Sequence, residues 1–142
     1  MRRGKRIILI AWGIAIISSI IALVCSYTVK AKTYTDKELF ERVVEAEAGN
    51  QDLKGKRLVA AVIYNRVASE EFPDTIREVL TEPKQFSTVS NGSINRVEIS
   101  VETKQAIQLE ENYRTDPEIL YFNSGPVSGK YAYTYKGHKF GK

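Results

Sequence analysis

The sequence predicts a mainly helical α+β domain with a small β element, preceded by one transmembrane helix. Three observations predict it. Residues 7–27, "IILIAWGIAIISSIIALVCSY", carry no charge and follow a short basic tail. Two later segments repeat apolar residues at intervals of three and four, which is helical spacing. Near the end, Tyr131, Tyr133 and Tyr135 alternate in strand fashion after the β-prone run "EILYFNS".

The chain of 142 residues suffices for one domain with appendages. An apolar span of about 20 residues crosses the hydrocarbon core of a bilayer as a helix. The apolar region of a cleaved signal peptide is usually about 7–15 residues, shorter than this one. The reading is therefore a basic cytoplasmic tail over 1–6, a retained anchor over 7–27, a polar linker over 28–34 and a domain over 35–142. Arg2, Arg3, Lys5 and Arg6 stay cytoplasmic under the positive-inside rule, which puts the domain outside the cell membrane. Cleavage after the small residue Ala31 is the alternative, and would give a secreted domain.

The net charge of +4 belongs to the tail. Residues 28–142 hold 17 basic and 17 acidic side chains. A nucleic-acid binder shows a basic excess in its folded part, so that class is excluded. The single cysteine, Cys25, lies inside the apolar span. The outer domain is therefore neither a disulfide scaffold nor a thiolate zinc site.

Thr35 to Glu38, "TDKE", fits a capping box at the start of a helix that Gly49-Asn50 stops. A second helix runs from about Leu53 to Val67, and "AAVIYNRV" is apolar enough for the centre of a core. "FPDT" is a turn with a cap at Asp74 or Thr75, ahead of a short helix in "IREVL". "TEPKQFSTVSNGSI" reads as a loop or a small hairpin around Asn91-Gly92, and residues 100–112 as another helix.

One carboxylate stands out. Phe40, Val43, Val44 and Glu47 are related by steps of seven, four and three, so they share a helix face. Glu45 lies two steps from Glu47, roughly 200° around the helix, and aligns with Glu41 and Glu38 on the polar side. Glu47 is thus expected to face the core and Glu45 to be an ordinary solvated acid. A buried unpaired carboxyl stays protonated, as a glycosidic proton donor must. Pairing of Glu47 with Arg66 as a structural ion pair is the competing expectation.

"VVEAEAGNQDLKGKRLVAAVIYNRV", "FPDTIREVLTEPKQFSTVSNGSI", "LYFNS" and "GHKF" together resemble the SleB-type cell-wall hydrolases, the spore cortex-lytic enzyme family. The resemblance covers about residues 36–141 in four ordered blocks. It implies a lysozyme-like fold acting on peptidoglycan glycan strands, with a lytic transglycosylase activity. The family's catalytic acid sits in a Glu-Ala pair ending the first helix, which matches Glu47-Ala48, and its helix-opening glycine matches Gly55. The family often reads Glu-Ala-Arg-Gly-Glu where this chain has Glu47-Ala48-Gly49-Asn50-Gln51. The arginine and the second acid are missing. The separate wall-binding module that the spore-cortex enzymes often bring is not expected within these 142 residues, and the membrane anchor is expected to play its part.

A lytic transglycosylase can work with one carboxylate, Glu47 here, as acid and then base, the C6 hydroxyl of N-acetylmuramic acid (MurNAc) displacing N-acetylglucosamine (GlcNAc). Asp52, Asp74, Glu98 and Glu118 remain candidate second acids. Gln85 can hydrogen-bond an acetamido group. Phe86 either stacks on a sugar or plugs the core. Tyr121 can touch substrate or orient Glu47, with Phe122 turned inward. Asn123 is a contact or a turn former, and His138 a groove-edge residue. The three alternating tyrosines and the pair Asn65-Arg66 read as packing and structural residues. No metal and no cofactor are expected, since a lone histidine makes no metal site. The expected partners are glycan strands and, through the N-terminal helix, the membrane, with the protein a monomer. The alternatives are a hydrolytic muramidase on the same fold, a non-catalytic membrane-anchored wall-binding protein, and a partner-docking domain.

Overall fold

Thr35 opens the first helix, α1 (Asp36–Ala48), by accepting the Glu38 backbone N–H on its hydroxyl at 3.1 Å. Only this half of the expected capping box forms. The Glu38 carboxylate receives Arg42 Nε at 3.1 Å instead, an i,i+4 pair. In this computed structural model residues 32–142 are described, and Tyr34–Lys142 form one compact unit. The tail, the expected anchor over 7–27 and residues 28–31 of the linker lie outside the described residues. Among the described residues no helix is long and apolar enough to cross a membrane.

Asp52 caps α2 (Leu53–Val67) by accepting the Gly55 N–H at 3.0 Å. A Cβ on Gly55 would come within 2.7 Å of Gln51 Cβ, so glycine there lets the Gln51 side chain lie across the helix start. α2 is the central helix, as its composition predicts, with every residue from Leu58 to Ile63 at 1% exposure or less. It parts the core in two. Val59, Ala60 and Ile63 join α1, Val79, Leu80 and Phe86 in the larger cluster. Leu58, Ala61 and Val62 meet Ile119 and Phe140 in the smaller one, under the sheet. Burying one side chain such as Leu58 or Phe140 contributes roughly 1.5–3 kcal/mol.

Thr75, not Asp74, caps the short α3 (Ile76–Thr81). The following segment is not a hairpin. It forms a one-turn helix, α4 (Ser87–Ser90), and a 3₁₀ turn over Ser93–Asn95, with Gly92 between them at φ +73°. That left-handed position is one glycine adopts without steric cost, so the Asn-Gly pair turns the chain between two helical turns rather than two strands. Ser100 caps α5 (Val101–Asn112), which packs on α2.

The sheet has three antiparallel strands in the order β1–β3–β2: β1 (Tyr121–Asn123), β2 (Tyr131–Tyr135) and β3 (His138–Gly141). Lys136 and Gly137, both at positive φ, join β2 to β3. Two such residues make the mirror-image turn that suits a two-residue hairpin. Phe122 and Tyr133 both pair with Phe140 in register. A bulge between Tyr131 and Tyr133 breaks the expected alternation, leaving Tyr131 exposed while Tyr133 packs on Phe140 with ring centroids 5.4 Å apart. Asn65 and Arg66 fasten the sheet to α2. Asn65 Nδ2 donates to the carbonyls of Asp116 and Ile119 at 2.8 and 2.9 Å, and Arg66 Nε donates to that of Leu120 at 2.8 Å. Both are structural, as their place in "NRV" suggests.

Candidate functional site

Glu47 sits one residue before the end of α1, beside α4 and the hairpin. It is half-buried rather than sealed in the core. The helical face that carries Val43 and Val44 into the core runs out at its last turn, where an open cavity of about 340 Å³ begins. Its walls are Glu47, Lys84, Gln85, Ser87, Phe122, Asn123, Ser124 and His138. Glu47 is the one carboxylate among them. Thr88 donates its hydroxyl hydrogen to Glu47 Oε1 at 2.7 Å.

The expected pairing of Glu47 with Arg66 does not form. Arg66 is 4% exposed and lies against the rings of Phe72, Phe86 and Tyr121, its guanidinium carbon 4.9, 5.4 and 5.8 Å from their centroids. Its Nη1 and Glu82 Oε2 are buried without hydrogen-bond partners. Burial pushes the guanidinium below its ordinary range, opposed by Tyr121 and the charge of Glu82.

Glu45 corrects the sequence reading more sharply. It is not a solvated acid. Its Oε2 accepts the Ser100 N–H at 3.0 Å, the Ser100 hydroxyl at 2.8 Å and the Thr103 hydroxyl at 2.5 Å. Burial pushes its carboxyl up, but these hydrogen bonds and the Lys56 charge outweigh that and hold it below the usual value. Glu45 therefore anchors the end of α1, and with it Glu47, to the start of α5.

The predicted binding residues divide. Gln85, Asn123 and His138 line the cavity with Glu47. Phe86 does not: it is 3% exposed and belongs to the larger core cluster, so it is the plug beneath the loop and not a sugar platform. Tyr121 is also turned away. Its ring lies near Phe72, 6.0 Å between centroids, and beside Arg66, while its neighbour Phe122 lines the cavity. Phe122 bridges the Phe86, His138 and Phe140 rings at 6.3, 5.7 and 6.3 Å. Asn123 lines the cavity and is also a turn former, its Oδ1 accepting the Gly125 N–H at 2.9 Å in the turn after β1.

His138 is the first residue of β3, set directly after the Lys136-Gly137 turn. Burial pushes its imidazole below the ordinary value, and the nearby Glu47 charge opposes this. The turn is tied to the start of α2: Asp52 accepts the Tyr135 hydroxyl at 2.8 Å and Lys136 Nζ at 2.9 Å, and Gln51 Nε2 donates to the Lys136 carbonyl at 3.2 Å. The Lys136 ammonium, the Gly55 N–H and the Tyr135 hydroxyl hold the Asp52 carboxyl at about 2. Gln51, at the place of the missing second acid, thus latches the hairpin and does not line the cavity. Nor do Asp52, Asp74, Glu98 or Glu118; Glu118 pairs with Lys142. Among the described residues no three or more His, Cys, Asp or Glu side chains cluster as a metal site.

Lys84, Ser87, Thr88 and Ser124 carry no local sequence signal as site residues. Thr88 is 41 residues from Glu47, and only the fold brings them together.

Comparison with known proteins agrees with this architecture. The sequence profile of the Cell Wall Hydrolase family matches residues 50–141, beginning just after Glu47. The spore cortex-lytic enzyme of Bacillus cereus is 31% identical over 100 residues, covering 70% of this chain and 39% of that protein. The spore cortex-lytic enzyme of Oceanobacillus iheyensis is 33% identical over 102 residues, covering 70% of this chain and 36% of that protein. The chain thus spans well under half the length of these relatives. Among solved structures, the catalytic domain of the germination-specific lytic transglycosylase SleB from Bacillus anthracis superposes with a TM-score of 0.67 at 26% identity, covering 80% of this chain and 98% of that domain. The catalytic domain of the Bacillus cereus SleB protein gives 0.61 at 28% identity, covering 78% and 94%. The chain belongs to the cell wall hydrolase family.

Proposed function

We propose that this protein cleaves the glycan strands of peptidoglycan as a lytic transglycosylase, with Glu47 as its general acid and base. The observation that carries this reading is the lone carboxylate of the cavity. Glycosidases that use water through two carboxylates place them about 5–9.5 Å apart across the scissile bond. Here Glu47 has no acidic counterpart in the cavity wall, and Gln51 stands where the family resemblance implies a second acid.

One carboxyl suffices if the sugar supplies its own nucleophile. Glu47 gives its proton to the glycosidic oxygen between MurNAc and GlcNAc, and the C1–O bond breaks with the electron pair leaving on that oxygen. The C6 hydroxyl oxygen of the same MurNAc forms the new bond to C1, and its proton passes to Glu47. The acid is regenerated, no water is consumed, and the product ends in a 1,6-anhydro sugar. Thr88 donates to Oε1 of a Glu47 carboxyl that lines the cavity. Gln85, Asn123 and Ser124 supply neutral hydrogen-bonding groups for acetamido and hydroxyl substituents.

The uncharged span over 7–27 behind four basic residues supports a single-pass anchor that holds this domain, as a monomer, beside the wall on the outer side. Cleavage of peptidoglycan in ¹⁸O-labelled water tests the chemistry. A transglycosylase releases new ends without label. A hydrolytic muramidase, the alternative on this fold, incorporates one labelled oxygen per cut. A wall-binding protein without activity releases nothing.

A further inference from the structure

Lys84 is the one lysine in the cavity wall, and nothing in the proposed reaction uses it. It is exposed, and among the described residues its ammonium has neither an ion-pair nor a hydrogen-bond partner. Its backbone is at φ +70°. That left-handed conformation is strained for any residue with a Cβ, and glycine or asparagine would hold it at lower cost. A packed side chain could offset the strain, but this one is in solvent. Strain of this kind collects at functional sites, where the surrounding structure holds it in place.

The surroundings do hold it. Before Lys84, Glu82 accepts the Gln85 N–H at 3.2 Å, closing a turn around it. After it, Phe86 is buried beneath the Arg66 guanidinium, and Thr88 is bonded to Glu47. Lys84 is thus presented at the mouth of the cavity by a loop fixed at both ends. It is the one lysine or arginine of a wall that holds a single carboxyl group, Glu47.

We propose that Lys84 is a specificity residue that pairs with a carboxylate borne by the glycan strand, so that this protein prefers anionic strands over neutralised ones. This rests on the peptidoglycan reading above and names the strand chemistry it selects. Every second sugar of such a strand carries a lactyl ether ending in a carboxyl group. That group is either free or amide-linked to a peptide with carboxylates of its own. Both sources offer Lys84 the same chemistry.

The test uses binding, so that it stands apart from turnover. The full chain in detergent carries Glu47→Gln to prevent cleavage, with and without Lys84→Met, Lys84→Arg or Lys84→Gly. The probes are peptide-free strands with free lactyl carboxylates, the same strands converted to methylamides, and strands that keep their peptides. Glu47→Gln should bind carboxylate strands about two- to five-fold more tightly than methylamide strands, the range of a solvent-exposed ion pair. Lys84→Arg should keep that ratio, while Lys84→Met and Lys84→Gly should abolish it. Lys84→Gly should at the same time raise the melting temperature by removing the strain. A preference for peptide-free acid strands identifies the lactyl group; one for peptide-bearing strands alone identifies the peptide. An unchanged ratio in Lys84→Met, or no measurable binding to any strand, overturns the proposal. The transglycosylase reading fails separately, when the wild type yields no anhydro ends whatever the strands bind.

Discussion

The Thr88 hydroxyl is bonded to Glu47 Oε1 at 2.7 Å, so a side chain on a four-residue helix fixes the orientation of the carboxyl at the end of α1. Thr88 acts through Glu47 and does not line the cavity itself, which makes it a positioning residue. Thr88→Val removes the donor and keeps the shape. It should lower kcat by about one order of magnitude, the scale of modest misplacement of a reacting group, with little change in KM. Thr88→Ser should restore most of the rate. Steady-state kinetics on soluble glycan strands separates these outcomes, and a change confined to KM would contradict the role.

Glu45 ties α1 to α5. Glu45→Ala leaves the Ser100 N–H and two hydroxyls without their shared acceptor, and should cost about 1–3 kcal/mol of stability. Its carboxyl is held below 4.5, so the folded state binds fewer protons than the unfolded one. The stabilisation is present above that pH and is lost as pH falls through the folded value. Urea titrations at a series of acidic pH values should show this loss in the wild type and a flatter profile in Glu45→Ala.

His138 titrates in a higher window. Its folded value lies below 6.5, chiefly through burial, so unfolding takes up a proton between the two values. Stability should therefore decline as pH drops from about 6.5 toward the folded value, the ordinary histidine reference being near 6.5. Melting curves of His138→Gln should lack this component. An identical pH dependence in the two proteins would contradict it.

Arg66 holds the floor of the loop. Arg66→Lys keeps the charge but loses the plane against Phe72 and Phe86 and the Nε–H bond to Leu120, so it should destabilise by about 1–3 kcal/mol. Chemical denaturation measures this directly. A neutral result would mean that the stack and the Leu120 bond contribute little.

The helices were legible because their apolar periodicity and their caps agree: Thr35, Asp52, Thr75 and Ser100 each accept a backbone N–H at a helix start. The same periodicity correctly separated Glu47 from Glu45, yet it overstated the burial of Glu47 and missed the partners of Glu45. A helix face stays buried only as far as its neighbours extend, and at Glu47 they give way to the cavity. Glu45, on the polar side, meets a loop more than fifty residues away that local pattern does not reveal. Alternation in β1 set Phe122 inward, against both core clusters, but a three-residue strand carries too little pattern to show that Tyr121 would lie against Phe72 and Arg66 rather than in the cavity. The Lys136-Gly137 turn, which sets the His138 ring beside Phe122, emerged only from the structure.

The central claim is that Glu47 alone performs the proton transfers of an anhydro-forming cleavage. The most direct test incubates purified peptidoglycan with the full-length wild type and with Glu47→Gln, and weighs the soluble products by mass spectrometry. The account predicts 1,6-anhydro muropeptides from the wild type and none from Glu47→Gln, with both proteins equally folded. Reducing-end products from the wild type, or anhydro products that persist in Glu47→Gln, would contradict it.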